Sequence, residues 1–239
     1  QSIFRFIDTD PVLMDAAIEA GLRAVGGYVN NSDRHGAAGT AYLFERGSST
    51  YGDLIVDNDS DYWSNRNTKL PSLGAGVAAA GSAGVVLETG LAETIPAYFV
   101  GHWVEVSHPD GTLKGTWRIE SVSGTTITLE AGASVAEGDL WQGVYRFDSL
   151  EVKGFARVKS DDPIRTPDVI LTDGGRLEVS EPIEVATLTI GGGNQSSMMW
   201  SPITATGSVE IVGPGKAYAQ SITAPTLTVR SGGFLSQAY

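Results

Sequence analysis

The sequence contains no cysteine among its 239 residues. It therefore forms no disulfide and offers no thiolate to a metal ion. It also has no run of 18 apolar residues, which a transmembrane helix would need, and its start lacks the charged and apolar regions of a signal peptide. We expect no membrane insertion, and we expect this chain to be a segment of a longer protein with flanking domains.

Basic residues are also scarce. The chain has 16 Lys and Arg against 28 Asp and Glu, a formal net charge of −12. A surface of this sign repels phosphate groups, so we expect neither nucleic acid nor an anionic membrane as a partner. Its three histidines, His35, His102 and His108, have neither the spacing of a metal site nor a visible Ser-His-Asp grouping.

Glycine is abundant, with 30 residues, and the last ninety residues repeat. Ile164, Ile183, Ile203 and Ile222 recur about every 20 residues. A second apolar column follows the same period and comprises Leu150, Ile170, Leu188, Val209 and Leu227. A repeat of this length, made of short strands and Gly-rich turns, is typical of a β-solenoid. The sequence therefore predicts an all-β fold, a right-handed parallel β-helix.

The repeat is interrupted in the middle of the chain. Four short alternating strands joined by turn signals lie within residues 93–147, which predicts an inserted small antiparallel barrel or sandwich. The expected organisation is thus N-terminal β-helix coils over 1–92, the insert, and C-terminal coils over 148–239.

The N-terminal coils contain one ambiguous stretch. Residues 13–25 follow Asp10 and Pro11 and end before two glycines, a pattern that favours a short helix over a turn followed by a strand. Residues 40–44 and 53–57 are predicted to be two strands of one solenoid coil.

The nearest approach to a catalytic group is Asp161 and Asp162 with Arg157 and Arg165. Polysaccharide-processing β-helix enzymes use grouped carboxylates with a basic residue. Adjacent strand residues point to opposite faces, so the two carboxylates do not easily share a site. A coil corner whose Asp accepts turn hydrogen bonds is the favoured interpretation. We expect no enzymatic activity, with a lyase, hydrolase or depolymerase as the alternative.

A calcium site is suggested by Asp57, Asp59 and Asp61, whose alternate spacing places oxygens around a hard cation. The segment departs from the EF-hand loop because Tyr62 replaces the glycine and Thr68 the glutamate. A solvated polar loop is the competing interpretation.

Aromatic and methionine side chains are the remaining binding candidates. Trp103 and Trp141 in the insert, and Met198, Met199 and Trp200 on a predicted solenoid loop, can stack on sugar rings or anchor a protein partner. A module of this size also needs large side chains in its core, which is the competing role for the insert's tryptophans. Trp200 is the better surface candidate.

Three segments carry a family resemblance. Residues 36–43, 51–58 and 143–152 resemble β-helix coils of giant modular bacterial surface proteins, which include proteins with RHS-type or immunoglobulin-like repeats. The resemblance implies an extracellular or cell-surface location and a structural or adhesive role, with a glycan or protein receptor as partner. It brings no catalytic residues. A phage or injection-system fibre is a third expectation.

Overall fold

The structure is a computed structural model that describes residues 3–8, 37–45, 49–58, 66–219 and 221–237. The predicted helix over 13–25, and its alternative as a turn and strand, lie outside these residues. The described residues form β-strands and one turn of 3-10 helix, Ala97–Phe99. No helix in this part of the chain has the length and apolar character to cross a membrane.

The described strands, in chain order, are β1 (Ile3–Asp8), β2 (Thr40–Glu45), β3 (Asp53–Asp57), β4 (Thr68–Lys69), β5 (Ala75–Val77), β6 (Ala83–Gly84), β7 (Val86–Glu88), β8 (Trp103–Ser107), β9 (Leu113–Ser123), β10 (Thr126–Leu129), β11 (Val135–Ala136), β12 (Leu140–Arg146), β13 (Ser149–Lys153), β14 (Arg157–Ser160), β15 (Ile164–Arg165), β16 (Asp168–Leu171), β17 (Arg176–Val179), β18 (Ile183–Ile190), β19 (Met198–Trp200), β20 (Ile203–Ile211), β21 (Lys216–Ala219), β22 (Ile222–Thr223), β23 (Thr226–Val229) and β24 (Phe234–Gln237).

The chain divides into two compact units. The solenoid unit comprises residues 1–70, 146–160 and 164–239, and the antiparallel unit comprises residues 71–145 and 161–163.

The solenoid unit is built from two sheets whose strands alternate along the chain. Sheet A contains the parallel series β3-β13-β16-β18-β20-β23. Sheet B is the six-stranded parallel series β4-β14-β17-β19-β21-β24. Successive coils contribute strands to both sheets, which confirms the predicted β-solenoid.

Alternation of side chains decides what each coil buries. Leu177, Met199 and Ala217 of sheet B are fully buried, whereas their strand neighbours remain partly exposed. Because successive strand residues point to opposite faces, one residue in two enters the core and the other forms the outer surface.

The predicted apolar columns are largely the observed ones. Ile183, Ile203 and Ile222 lie in register across β18, β20 and β22. In the second column the register partner of Leu150 is Val169, so the prediction of Ile170 was wrong by one residue. Val169 is fully buried, whereas Ile170 is 40% exposed, because neighbours in one strand cannot both face the core.

The prediction that residues 40–44 and 53–57 belong to one coil was also wrong. β2 and β3 pair antiparallel, with Tyr42 opposite Leu54, and therefore form a hairpin. β3 then continues sheet A by pairing parallel with β13.

The antiparallel unit contains two sheets that share one strand. The first part of β9 pairs with β8, which is followed by β12 and β5. The second part of β9 pairs with β10, which is followed by β7, β6 and β11. The four strands predicted in 93–147 are confirmed as β8, β9, β10 and β12. The unit begins at Pro71, so it includes strands in a stretch without a clear sequence pattern. Its closure as a barrel or sandwich stays a prediction.

Candidate functional site

The outer face of sheet B carries a row of aromatic side chains. Trp200 and Tyr218 lie in register on β19 and β21, with parallel rings whose centroids are 5.6 Å apart and whose planes differ by 9°. Phe234 of β24 follows, with its ring centroid 5.9 Å from that of Tyr218. We call Trp200, Tyr218 and Phe234 the aromatic row. Strand alternation places these rings outside because Met199 and Ala217 fill the core between them.

A groove of about 420 Å³ lies against the aromatic row. Its walls combine two aromatic rings with a carboxylate, hydroxyl groups and a proline, contributed by Glu178, Val179, Ser180, Trp200, Ser201, Pro202 and Tyr218. Ser201 is itself buried, and its hydroxyl donates a hydrogen bond to the Trp200 carbonyl oxygen at 2.5 Å. The groove thus joins a stacking surface to polar groups that accept and donate hydrogen bonds.

Glu178 is held in place by an ion pair across the sheet. Lys159 and Glu178 are register partners on β14 and β17, and the lysine Nζ donates to Glu178 Oε1 at 2.6 Å. Both side chains are partly exposed, at 33% and 47%, so the pair orients the carboxylate more than it stabilises the fold.

The predicted loop candidates lie in a strand. Met198, Met199 and Trp200 form β19, so their placement on a loop was wrong; alternation, rather than loop exposure, sets their directions. Met199 is fully buried and cannot touch a ligand. Met198 and Trp200 belong to the outer face.

The two predicted candidates of the antiparallel unit differ in burial. Trp141 is 2% exposed and donates its indole N–H to the Thr89 carbonyl at 3.2 Å, while a Cβ on Gly76 would lie 3.1 Å from its ring. It is therefore a core residue. Trp103, at the start of β8, is half-buried.

The predicted calcium loop is only partly described. Asp57 ends β3, whereas Asp59 and Asp61 lie outside the described residues. Among the residues that are described, no group of three or more His, Cys, Asp or Glu side chains could hold a metal ion. The calcium site stays a prediction.

Asp162 is a buried structural carboxylate within the antiparallel unit. It is 2% exposed and accepts hydrogen bonds from the Ser72 hydroxyl at 2.6 Å and from the N–H groups of Leu73 and Gly74 at 2.8 and 3.2 Å. It thus fixes a turn that is remote in sequence. Arg157 belongs to sheet B and Arg165 to sheet A, so these two cations do not share a face.

His102 and Tyr145 pack near Asp162. Their rings meet edge to face with centroids 4.6 Å apart, and the tyrosine hydroxyl donates to the Pro71 carbonyl at 2.6 Å. Burial, and secondarily the charge of Asp162, raises the pKa of Tyr145. His102 Nε2 lies 3.8 Å from Asp162 Oδ2. His108 is exposed, and His35 lies outside the described residues.

The sequence patterns missed Tyr218 and Phe234 as neighbours of Trp200. The spacing of 18 residues between Trp200 and Tyr218 is one coil, so a strict strand-by-strand alignment would have stacked them. They were missed because Trp200 precedes Ile203 by three residues whereas Tyr218 precedes Ile222 by four, so an alignment on the isoleucine column does not bring the two rings together.

Comparison with known protein families, curated proteins and solved structures finds no match for this chain.

Proposed function

We propose that this chain is a non-enzymatic β-solenoid segment of a bacterial extracellular or surface protein, and that the outer face of sheet B binds a saccharide. The observation that carries the proposal is the aromatic row with its adjoining groove. Pyranose rings present apolar C–H faces that pack on aromatic rings, and their hydroxyls pair with carboxylate and hydroxyl groups. Trp200 supplies the first of these features, and Glu178 with Ser180 supplies the second.

The shape of a solenoid suits this role. Its coils repeat the same surface at a strand spacing of about 4.8 Å, so an extended polymer can contact several coils at once. A rigid sheet also holds the rings in place before the ligand arrives, which lowers the entropic cost of binding.

The first test is a glycan-array screen of the chain, run with and without calcium. We expect binding that weakens at least about tenfold in Trp200→Ala, since a buried aromatic anchor contributes about 2 kcal/mol or more. Trp200→Phe should retain part of the affinity because it keeps a stacking ring.

Tyr98→Ala is the matched control, since Tyr98 is an aromatic residue that is 66% exposed and belongs to the antiparallel unit. It should leave binding unchanged. A blank array, or equal losses in Trp200→Ala and Tyr98→Ala, would refute a saccharide site on sheet B. Calcium dependence would direct attention to Asp57, Asp59 and Asp61.

A further inference from the structure

The two sheets of the solenoid unit carry opposite charge. Sheet B presents five cations and one carboxylate in its described strands: Lys69, Arg157, Lys159, Arg176, Lys216 and Glu178. The parallel series of sheet A with β15 and β22 presents six carboxylates and two cations: Asp53, Asp57, Glu151, Asp168, Glu184, Glu210, Lys153 and Arg165. A protein of net charge −12 thus concentrates positive charge on the sheet that bears the aromatic row.

The cations of sheet B are also aligned. Arg157 and Arg176 are register partners on adjacent strands, and Lys216 continues the same row beyond Met198. Like charges opposite each other on one sheet face repel and destabilise the pairing. Guanidinium groups bind carboxylate and sulfate oxygens in bidentate fashion, so this row offers contacts to an anion that lies across it.

We propose that the ligand of sheet B is an anionic saccharide polymer, carrying carboxylate or sulfate groups. This inference rests on the proposed saccharide site and names its ligand class. The row of Arg157, Arg176 and Lys216 binds the acidic groups, while Trp200 and Tyr218, two residues further along their strands than Met198 and Lys216, stack against the sugar rings. The acidic face of sheet A repels the same polymer, so binding is confined to one side.

The test compares charged and neutral forms of the same backbone. An oligogalacturonate and its methyl ester probe carboxylates, dextran sulfate and dextran probe sulfates, and poly(dT) probes nucleic acid. We expect the charged saccharides to bind at least about tenfold more tightly than their neutral counterparts, with affinity falling as salt rises from 50 to about 500 mM. Whichever charged saccharide binds identifies the acidic group.

The decisive variants remove two positive charges from either sheet. Arg157→Gln/Arg176→Gln should weaken binding about tenfold or more, since each removes a charge-assisted contact. Lys153→Gln/Arg165→Gln changes the net charge by the same amount but acts on sheet A, so its affinity for the charged saccharide should equal that of the parent protein. Lys216→Gln is a single-site check, and unfolding curves of all variants establish that the solenoid is intact.

Two results would overturn the inference while leaving the saccharide site in place. One is equal binding of dextran and dextran sulfate, and of the oligogalacturonate and its ester, with loss only in Trp200→Ala. The other is an unchanged affinity in Arg157→Gln/Arg176→Gln. Tighter binding of poly(dT) than of any saccharide would overturn it in favour of nucleic acid. Failure of every probe and of the glycan array would refute both the ligand class and the site.

Discussion

At the scale of single residues, burial separates side chains that support the fold from those that face a ligand. Trp141 and Trp200 are the same residue type and both lie in β-strands. Trp141 is enclosed by apolar neighbours and hydrogen-bonded to the Thr89 carbonyl, whereas Trp200 faces outward beside a groove. The sequence predicted both as ligand-binding candidates. Their roles depend on which face of its strand each side chain occupies, and the register with the neighbouring strands sets that face.

Asp139 is a buried carboxylate of the antiparallel unit. Its Oδ2 accepts hydrogen bonds from Lys114 Nζ and the Ala136 N–H, both at 2.7 Å. Burial opposes ionisation, but these hydrogen bonds and the lysine charge outweigh it and lower the pKa of Asp139. Asp139→Asn should reduce the free energy of unfolding by about 1–3 kcal/mol at pH 7, measured by urea denaturation.

The pH dependence of this loss follows from the direction of the shift. Because the pKa of Asp139 is lowered in the folded state, its ionised carboxylate stabilises the folded protein at pH values above the ordinary pKa of 3.8. This contribution to stability disappears as the pH falls below that value. The difference between the parent protein and Asp139→Asn should therefore shrink towards pH 3. Glu137→Gln, at an exposed turn position close to Asp139 in sequence, serves as the control and should behave like the parent. A difference that persists undiminished at pH 3 would contradict this account.

At the scale of elements, the turns between sheets A and B determine how closely coils stack. Several of these turns close with a hydrogen bond from the fourth residue to the first, as from Gly175 N to Thr172 O at 2.8 Å and from Gly233 N to Arg230 O at 2.8 Å. Glycines at these corners let one coil approach the backbone of the next. A composition rich in glycine indicated turns, and the structure assigns particular glycines to contacts between coils.

Gly191 and Gly192 form a matched pair for testing this contact. Both have positive φ, +105° and +88°, but a Cβ on Gly191 would lie 1.8 Å from the Val212 carbonyl oxygen, whereas nothing lies within 4 Å of one on Gly192. Both alanine variants carry backbone strain. Gly191→Ala should cost a further 1–3 kcal/mol, roughly the penalty of overpacking, in thermal or urea unfolding. Equal costs would show that coil contact at this corner is unimportant.

The same elements explain how far the fold could be predicted. The spacing of Ile183, Ile203 and Ile222 identified the solenoid because a buried position must recur once per coil. The spacing could not choose between Val169 and Ile170, because both are β-branched and apolar and only the strand pairing fixes which faces inward. The aromatic row escaped prediction for a related reason: turns of unequal length separate Glu178, Trp200 and Tyr218, so their alignment depends on pairing that the repeat does not encode.

At the scale of the whole molecule, each position of a solenoid has equivalents in other coils with different neighbours. Leu188 and Leu227 occupy one column through Val209. Leu188 lies in β18, between β16 and β20, and is 1% exposed, whereas Leu227 is 43% exposed in β23, whose partner among the described strands is β20. Stability in such arrays is a sum of coil and interface contributions, so equivalent residues need not contribute equally.

Alanine substitution of Leu188 and of Leu227 tests whether equivalent residues contribute unequally to stability. Leu188→Ala should lower the free energy of unfolding by about 2–5 kcal/mol, because it leaves a cavity between coils that cannot collapse. Leu227→Ala removes a side chain that is already largely in water, so its cost should stay near or below about 1 kcal/mol. Hydrogen exchange should agree, with amides of β16 and β18 protected longest and those of β23 exchanging first. Equal destabilisation by the two variants, with uniform protection across the strands, would mean that the coils unfold as one cooperative block in which position along the solenoid has no effect.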